Sequence, residues 1–244
     1  MIRFILDAAW VIIFLILSIP FVLIELIVGL FSKKVKARTS QWIIKWAFSV
    51  VLFISGTKVK VLGKENIPAD EPVLFVPNHR SIFDIVIPYT IFPNQTGFIA
   101  KKETKKFPVF NLWMMFMNCQ FLDRSDLRDG LRVINKSADL IKDGVSMCVF
   151  PEGTRNKGEE VLGPFHDGCL KIAQKAGCPV IPVTIVGSDD IFENHFPKVI
   201  KQAVTVEFGK PIETKEMSKA EFKELSGMIR EVIIENYNKN KNDK

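Results

Sequence analysis

Apolar residues dominate the first 55 positions, and beyond them short apolar runs alternate with amphipathic stretches. From Ala8 to Ile24 the chain carries no charge. With Glu25 included the apolar stretch reaches Phe31, within the roughly 17–25 residues that can cross a bilayer. Asp7, Pro20 and Glu25 spoil a simple span. Lys33, Lys34, Lys36 and Arg38 follow as an expected basic loop, and then a second apolar segment, Trp42 to Ile54, interrupted by Lys45 and short for a span. Trp42 and Trp46 stand one helical turn apart, a placement suited to the membrane interface. Ser18-Ile19-Pro20 and Val28-Gly29-Leu30 are poor cleavage sites, so the segment is expected to be retained. The near absence of charged faces argues against a soluble hairpin. Two full spans would put the basic loop and the rest of the chain on opposite sides of the membrane, against the positive-inside rule if that remainder is cytoplasmic. An interfacial or re-entrant helix pair over residues 1–55 is therefore expected, with the basic loop attracting anionic headgroups.

From residue 56 onward the periodicity changes. Lys58 to Leu62 alternates as a short strand, Val73 to Val76 reads as an interior strand, Gly97 to Ala100, Val145 to Phe150 and Val204 to Phe208 are further strand-like runs, and Phe121-Leu122 is a short apolar stretch. Val180-Ile181-Pro182-Val183 reads as a strand whose internal proline belongs at an edge or a bulge. Leu127, Leu131, Ile134, Ala138 and Ile141 mark one helical face, closed by Gly144, and Cys169 to Ala176 is another helix. Ser218-Lys219-Ala220-Glu221 is a capping-box start for a helix bearing Phe222, Leu225, Ile229, Val232 and Ile233, followed by a polar tail from Asn238 to Lys244. With neither repeats nor a long linker, the pattern predicts an α/β fold: one mixed-sheet domain over residues 56–244 carrying the N-terminal helix pair.

The strand ends carry the candidate chemistry. Pro77 and Asn78 end one strand, Ile82, Ile85 and Val86 begin a helical pattern, and His79 and Asp84 lie between and across that bend. On a continuous helix their spacing would separate them by about 140°. A turn lets Asp84 fold back onto the ring, so that the imidazole presents one nitrogen to a substrate proton while the carboxylate fixes the tautomer. Taken alone, the pair also fits a structural helix cap. Phe150-Pro151-Glu152-Gly153-Thr154-Arg155 places a guanidinium, a hydroxyl and a flexible glycine at another strand end, an oxyanion-binding composition. Arg124 closes the Phe121-Leu122-Asp123-Arg124 stretch.

These four blocks, in this order over roughly Thr57 to Pro211, resemble the glycerolipid acyltransferases, most closely the 1-acyl-glycerol-3-phosphate acyltransferases. His79 and Asp84 match the His-x-x-x-x-Asp signature, and residues 121–124, 150–155 and 180–183 match the second, third and fourth blocks. The resemblance implies a single mixed-sheet acyltransferase domain. It also implies acyl transfer from a thioester, acyl-coenzyme A or acyl carrier protein, to the free hydroxyl of a lysophospholipid, with His79 as base, Asp84 as its support and blocks two and three on the acceptor's phosphate. Neither a cofactor nor a metal is implied. Two positions depart from the pattern: Asn118-Cys119 stands where a glycine is expected, and His166 where lysine is usual.

A phosphate monoester of about −1.5 to −2 charge calls for more than one cation. Arg124 and Arg155 supply two, and Lys101 is the candidate third from the cluster Lys101, Lys102, Lys105 and Lys106, of which Lys102 and Lys105 are expected to face solvent. Glu152, Gly153 and Thr154 would stand beside the phosphate, Glu152 either holding the acceptor, orienting Arg155 through an ion pair or serving the fold. Ser81 is expected to cap the helix after His79, and backbone amides near that helix are candidate donors to the oxyanion. Met114, Met115 and Met117, with Trp113 and Phe116, are expected to pack rather than line an acyl groove. His166 and His195 are expected to be ordinary surface or core residues.

Cys119, Cys148, Cys169 and Cys178 show no paired spacing and read as free thiols in a reducing compartment. A net charge of +6 and a pI near 9.1 suit an anionic membrane or a phosphorylated substrate, while scarce tyrosine and the lack of an RNA-binding signature exclude nucleic acid as a partner. The expected protein is a membrane enzyme with its catalytic domain on the cytoplasmic face, making phosphatidic acid. The alternatives are the same chemistry on a lyso-aminolipid or glycerol 3-phosphate, or a lipid-binding protein without turnover on this scaffold.

Overall fold

Strand β2 (Leu74–Pro77) is buried along its whole length and lies near the middle of the sheet. In the computed structural model, which describes residues 1–93 and 95–242, it is joined by β1 (Lys58–Leu62), β3 (Thr96–Lys101), β4 (Gln120–Leu122), β5 (Ser146–Cys148), β6 (Val180–Val186) and β7 (Ala203–Phe208). The order is β1-β7-β6-β2-β5-β3-β4, parallel at every pairing except β6 with β7. The expected mixed sheet is thus present, and every expected strand falls in it. Parallel neighbours require crossovers. These are supplied by α4 (Phe83–Ile91), α5 (Pro108–Phe116), α6 (Leu127–Lys142) and α7 (Lys171–Ala176), with α8 (Lys219–Asn242) following β7.

Alternation along β2 divides the core in two. Val73 and Phe75 face a layer containing α4 and α5, whereas Leu74 and Val76 face α6, α7 and α8. Trp113, Met114, Phe116 and Met117 are core residues of the first layer, as expected, and Met115 is exposed. The capping box is made in both directions, Glu221 N–H to Ser218 Oγ at 3.2 Å and Ser218 N–H to Glu221 Oε2 at 2.8 Å. The polar tail is a correction. Helix α8 continues to Asn242 because Lys239 and Asn240 both bind Glu207 on β7, and residues 243 and 244 lie outside the described residues.

Pro182 also differs from a simple edge position, since β6 is an interior, fully buried strand. The bulge alternative holds. Between the Val180↔Ile212 bridge and the Val183↔Phe208 pair, residues 181–182 lie opposite 209–211, so the proline's missing N–H meets a break in the ladder. Gly209 N–H still donates to the Pro182 carbonyl.

The N-terminal region is three helices rather than a pair: α1 (Ile2–Leu17), α2 (Ile19–Phe31) and α3 (Lys33–Ser55). Residues 33–38 are not a loop but the first turns of α3, because Ser32 caps them by accepting from Val35 N–H. α1 and α2 meet at Ser18 with a 49° bend. The buried Ser18 Oγ accepts from Trp113 Nε1 at 3.0 Å, which fastens the bend to α5. Among the described residues no single helix is long and apolar enough to cross a membrane, and only α1 and α2 together reach that length. Val22, Ile44, Val51 and Leu52 share one apolar core with the sheet, while Leu30, Phe31 and Trp42 are exposed.

Candidate active site

The carboxyl ends of β2, β3, β4 and β5 deliver the candidate residues to one edge of the sheet, the edge at which open α/β sheets place their ligands. The end of β2 is locked first. Asn78 Nδ2 donates to the Ile185 carbonyl at 2.9 Å, and Ile185 N–H donates to Asn78 Oδ1 at 2.7 Å. The next residue, His79, brings Nδ1 to 3.1 Å from Asp84 Oδ2. Asp84 lies in the first turn of α4 and is fully buried. The same oxygen accepts the N–H groups of Arg80 at 2.6 Å and Ser81 at 2.7 Å, which folds the carboxylate back across the bend. A carboxylate facing Nδ1 fixes the tautomer with the proton there and leaves Nε2 as the basic nitrogen. The imidazole stacks on Phe150 with centroids 4.2 Å apart.

The third block closes against the histidine through its backbone. Glu152 Oε1 accepts from His79 N–H at 2.7 Å and Oε2 from Gly163 N–H at 2.6 Å, while Asn156 N–H donates to the His79 carbonyl at 2.7 Å. Burial raises the Glu152 carboxyl above the usual glutamate range, and these two amides pull it back. Of the roles open to Glu152, its contacts are those of the fold: the carboxylate is turned inward onto two backbone amides, no ion pair with Arg155 is made, and Arg155 Nη1 donates to Glu193 Oε1 at 2.9 Å.

Block two meets block three at Gly153. Its φ of +66° is the left-handed region, and a Cβ there would stand 3.0 Å from His166 Cδ2 and 3.6 Å from Arg124 Cζ. Arg124 and His166 therefore flank this glycine. Arg124 makes no ion pair among the described residues. Partial burial lowers its pKa from the usual arginine value, with Glu103 pulling the other way. Thr154 is exposed on the same loop, and Lys101, exposed at the end of β3, is paired in register with Leu122, two residues before Arg124. Lys102 binds Asp123, and Lys105 Nζ lies 5.1 Å from the centre of the Phe121 ring.

One expectation changes here and two hold with an addition. The amides of Arg80, Ser81 and Ile82 are committed to Asp84 and Glu193, so they are not free to receive an oxyanion. Ser81 acts at the helix start as expected, its Oγ accepting from Phe83 N–H at 3.1 Å, but it also donates to Glu193 Oε2 at 2.6 Å. His166 is a surface residue, as is His195, yet it stands at the site. The missing glycine is explained by Asn118, whose φ of +63° is the positive-φ conformation that asparagine tolerates best after glycine. Sequence reasoning missed Arg80, Asp189 and Glu193 as site-building residues. The last two lie beyond β6, outside any periodic or motif signal.

The comparisons agree with this architecture. The Acyltransferase family model matches residues 58–186, more than half of the chain. A 1-acyl-sn-glycerol-3-phosphate acyltransferase of Saccharomyces cerevisiae is 30% identical over 203 residues, covering 82% of this chain and 67% of the yeast protein. A probable 1-acyl-sn-glycerol-3-phosphate acyltransferase of Mycoplasma genitalium is 32% identical over 221 residues, covering 86% of this chain and 78% of its own. The crystal structure of the 1-acyl-sn-glycerophosphate acyltransferase PlsC from Thermotoga maritima superposes with a TM-score of 0.79 at 28% identity, covering 98% of this chain and 95% of that one. The chain belongs to the acyltransferase family.

Proposed function

We propose that the protein is a 1-acylglycerol-3-phosphate O-acyltransferase, which moves a fatty acyl group from a thioester to the free hydroxyl of 1-acylglycerol 3-phosphate and releases phosphatidate and a thiol. The observation that carries this is the His79–Asp84 pair, held through the His79 amide by Glu152, the residue before the Gly153 that Arg124 flanks, with Arg124 in no ion pair among the described residues. His79 Nε2 takes the hydroxyl proton as that oxygen attacks the thioester carbonyl. Collapse of the tetrahedral intermediate breaks the C–S bond, and the imidazolium returns the proton to the leaving sulfur. Asp84 stabilises the imidazolium between these steps. Arg124 and Arg155, with Lys101, hold the phosphate by charge-assisted hydrogen bonds, and Gly153 and Thr154 lie against it. Glu152 holds the backbone of His79 rather than the acceptor. No cofactor is required by this chemistry.

The acceptor is a membrane lipid, and the exposed apolar residues of α1, α2 and α3, with the exposed cations Lys33, Lys34 and Arg38, support a placement on an anionic membrane. In this proposal the catalytic domain lies on the cytoplasmic side, where either coenzyme A or acyl carrier protein delivers the donor. The test is turnover by the purified protein in detergent or liposomes, given lysophosphatidate and each thioester separately, with phosphatidate and free thiol measured. His79→Ala should lose at least about 10²-fold in kcat, and Arg155→Ala should raise the acceptor KM. Transfer to glycerol 3-phosphate or a lyso-aminolipid alone would replace the acceptor, and lipid binding without turnover by either donor would overturn the enzymatic proposal.

A further inference from the structure

The loop leaving β6 falls outside the four sequence blocks, yet it brings two carboxylates to the site. Asp189 Oδ2 accepts from Arg80 Nε at 2.9 Å, and Arg80 donates its terminal nitrogens to the carbonyls of Glu160 and Gly158. Glu193 opens a short 3₁₀ turn, Glu193–His195, further along the same loop. Its carboxylate collects donors from two separate blocks: Ser81 Oγ at 2.6 Å and Ile82 N–H at 2.8 Å where α4 begins, and Arg155 Nη1 at 2.9 Å. The Glu193 side chain is 18% exposed against 43% for Arg155, so the carboxylate is the fixed partner and the guanidinium the one it orders. Phe192 stacks on Phe4 of α1 with centroids 5.4 Å apart, which braces the turn from the helical layer.

We propose that Glu193 is a positioning residue that presets Arg155 for the acceptor's phosphate and ties that arginine to the turn carrying the base. This rests on the assignment of Arg155 to the phosphate made above. An exposed arginine samples many rotamers, and a fixed partner removes that freedom before the acceptor arrives. Of its five N–H donors one goes to Glu193, and four remain for oxygen atoms of the ligand. The other two bonds of the same carboxylate hold Ser81 and Ile82, beside the amides that hold Asp84. The phosphate's position and the base's orientation thus share one anchor.

Glu193→Gln separates the two roles. The amide oxygen keeps the Ile82 N–H, and the amide nitrogen can donate to Ser81 Oγ, but the charge facing Arg155 is gone. With the full-length protein in detergent, lysophosphatidate and an acyl thioester, Glu193→Gln should raise the acceptor KM about 2- to 5-fold, the range of a partly exposed ion pair. Its kcat should stay within about twofold of the wild type, the signature of lost binding rather than lost chemistry. In an Arg155→Ala background the same change should add nothing, because Glu193 acts through Arg155. Glu193→Ala should lower kcat as well, since Ser81 and Ile82 lose their holder. If Arg155→Ala raises the KM and Glu193→Gln does not, the inference is overturned and the phosphate assignment stands. An equal Glu193→Gln effect with and without Arg155 also overturns it. If Arg155→Ala leaves the acceptor KM unchanged, the phosphate assignment fails and the inference falls with it.

Discussion

Asp84 gathers three donors on one oxygen, Oδ2, while its buried Oδ1 has no partner among the described residues. In Asp84→Asn the amide oxygen would have to face those donors, leaving the amide nitrogen in the empty position. The turn can then persist, but a neutral amide cannot stabilise the imidazolium. We expect kcat to fall by about 10²–10⁴-fold with little change in acceptor KM, read by steady-state kinetics. Glu152 gives a pH test. Its folded-state pKa is raised, so the folded protein holds this proton to a higher pH than the unfolded chain does. The group's contribution to stability is full below the unfolded pKa, declines as pH rises through the folded one, and is level above it. The Tm difference between the wild type and Glu152→Gln should therefore shrink with rising pH in the acid range and then stay level. A difference independent of pH throughout that range would refute the raised pKa. Both residues were visible as candidates because they sit in contiguous blocks. The partners of Glu152 were not, since the His79 amide lies 73 positions away and the motif contains a nearer cation in Arg155.

At the scale of elements, the start of β3 packs closely on the turn that leads into β4. A Cβ on Gly97 would stand 2.7 Å from the Asn118 carbonyl oxygen and 3.0 Å from Met147 Sδ, and backbone cannot yield as a side chain does. Gly97→Ala should cost about 1–3 kcal/mol through overpacking, and Asn118→Ala about 1–2 kcal/mol through its left-handed conformation, both measured as melting shifts in detergent. Asn118→Gly should cost far less than Asn118→Ala, and equal losses would mean that the asparagine side chain, rather than its φ, matters. Element types were legible because β2 is a short unbroken apolar run, as a strand buried on both faces must be, and α6 carries one apolar face. Their termini were less so. The basic residues 33–38 read as a loop by charge, but Ser32 caps them into α3, and the polar tail became helix because Glu207 receives it.

For the molecule as a whole, the same three helices serve two surfaces. Val22, Ile44, Val51 and Leu52 belong to the core, whereas Leu30, Phe31 and Phe53 are 83%, 87% and 85% exposed. Burying one such side chain in lipid is worth about 1.5–3 kcal/mol. The double change Leu30→Asp and Phe31→Asp should therefore lower association with anionic vesicles by about tenfold or more, assayed by co-sedimentation. Rising salt should weaken wild-type binding, because Lys33, Lys34 and Arg38 are exposed beside those residues. Unchanged sedimentation of the double variant would place the membrane surface elsewhere. The order of strand, turn and helix and the folding of Asp84 back onto His79 could be read along the chain, because each depends on residues within a few positions of one another. Which strand lies beside which, how Gly153 comes to meet Arg124 and His166, and the convergence of Ser81 and Arg155 on Glu193 could not. The bond from Ser81 to Glu193 spans 112 positions and forms only once β6 has packed beside β2, so no local pattern records it.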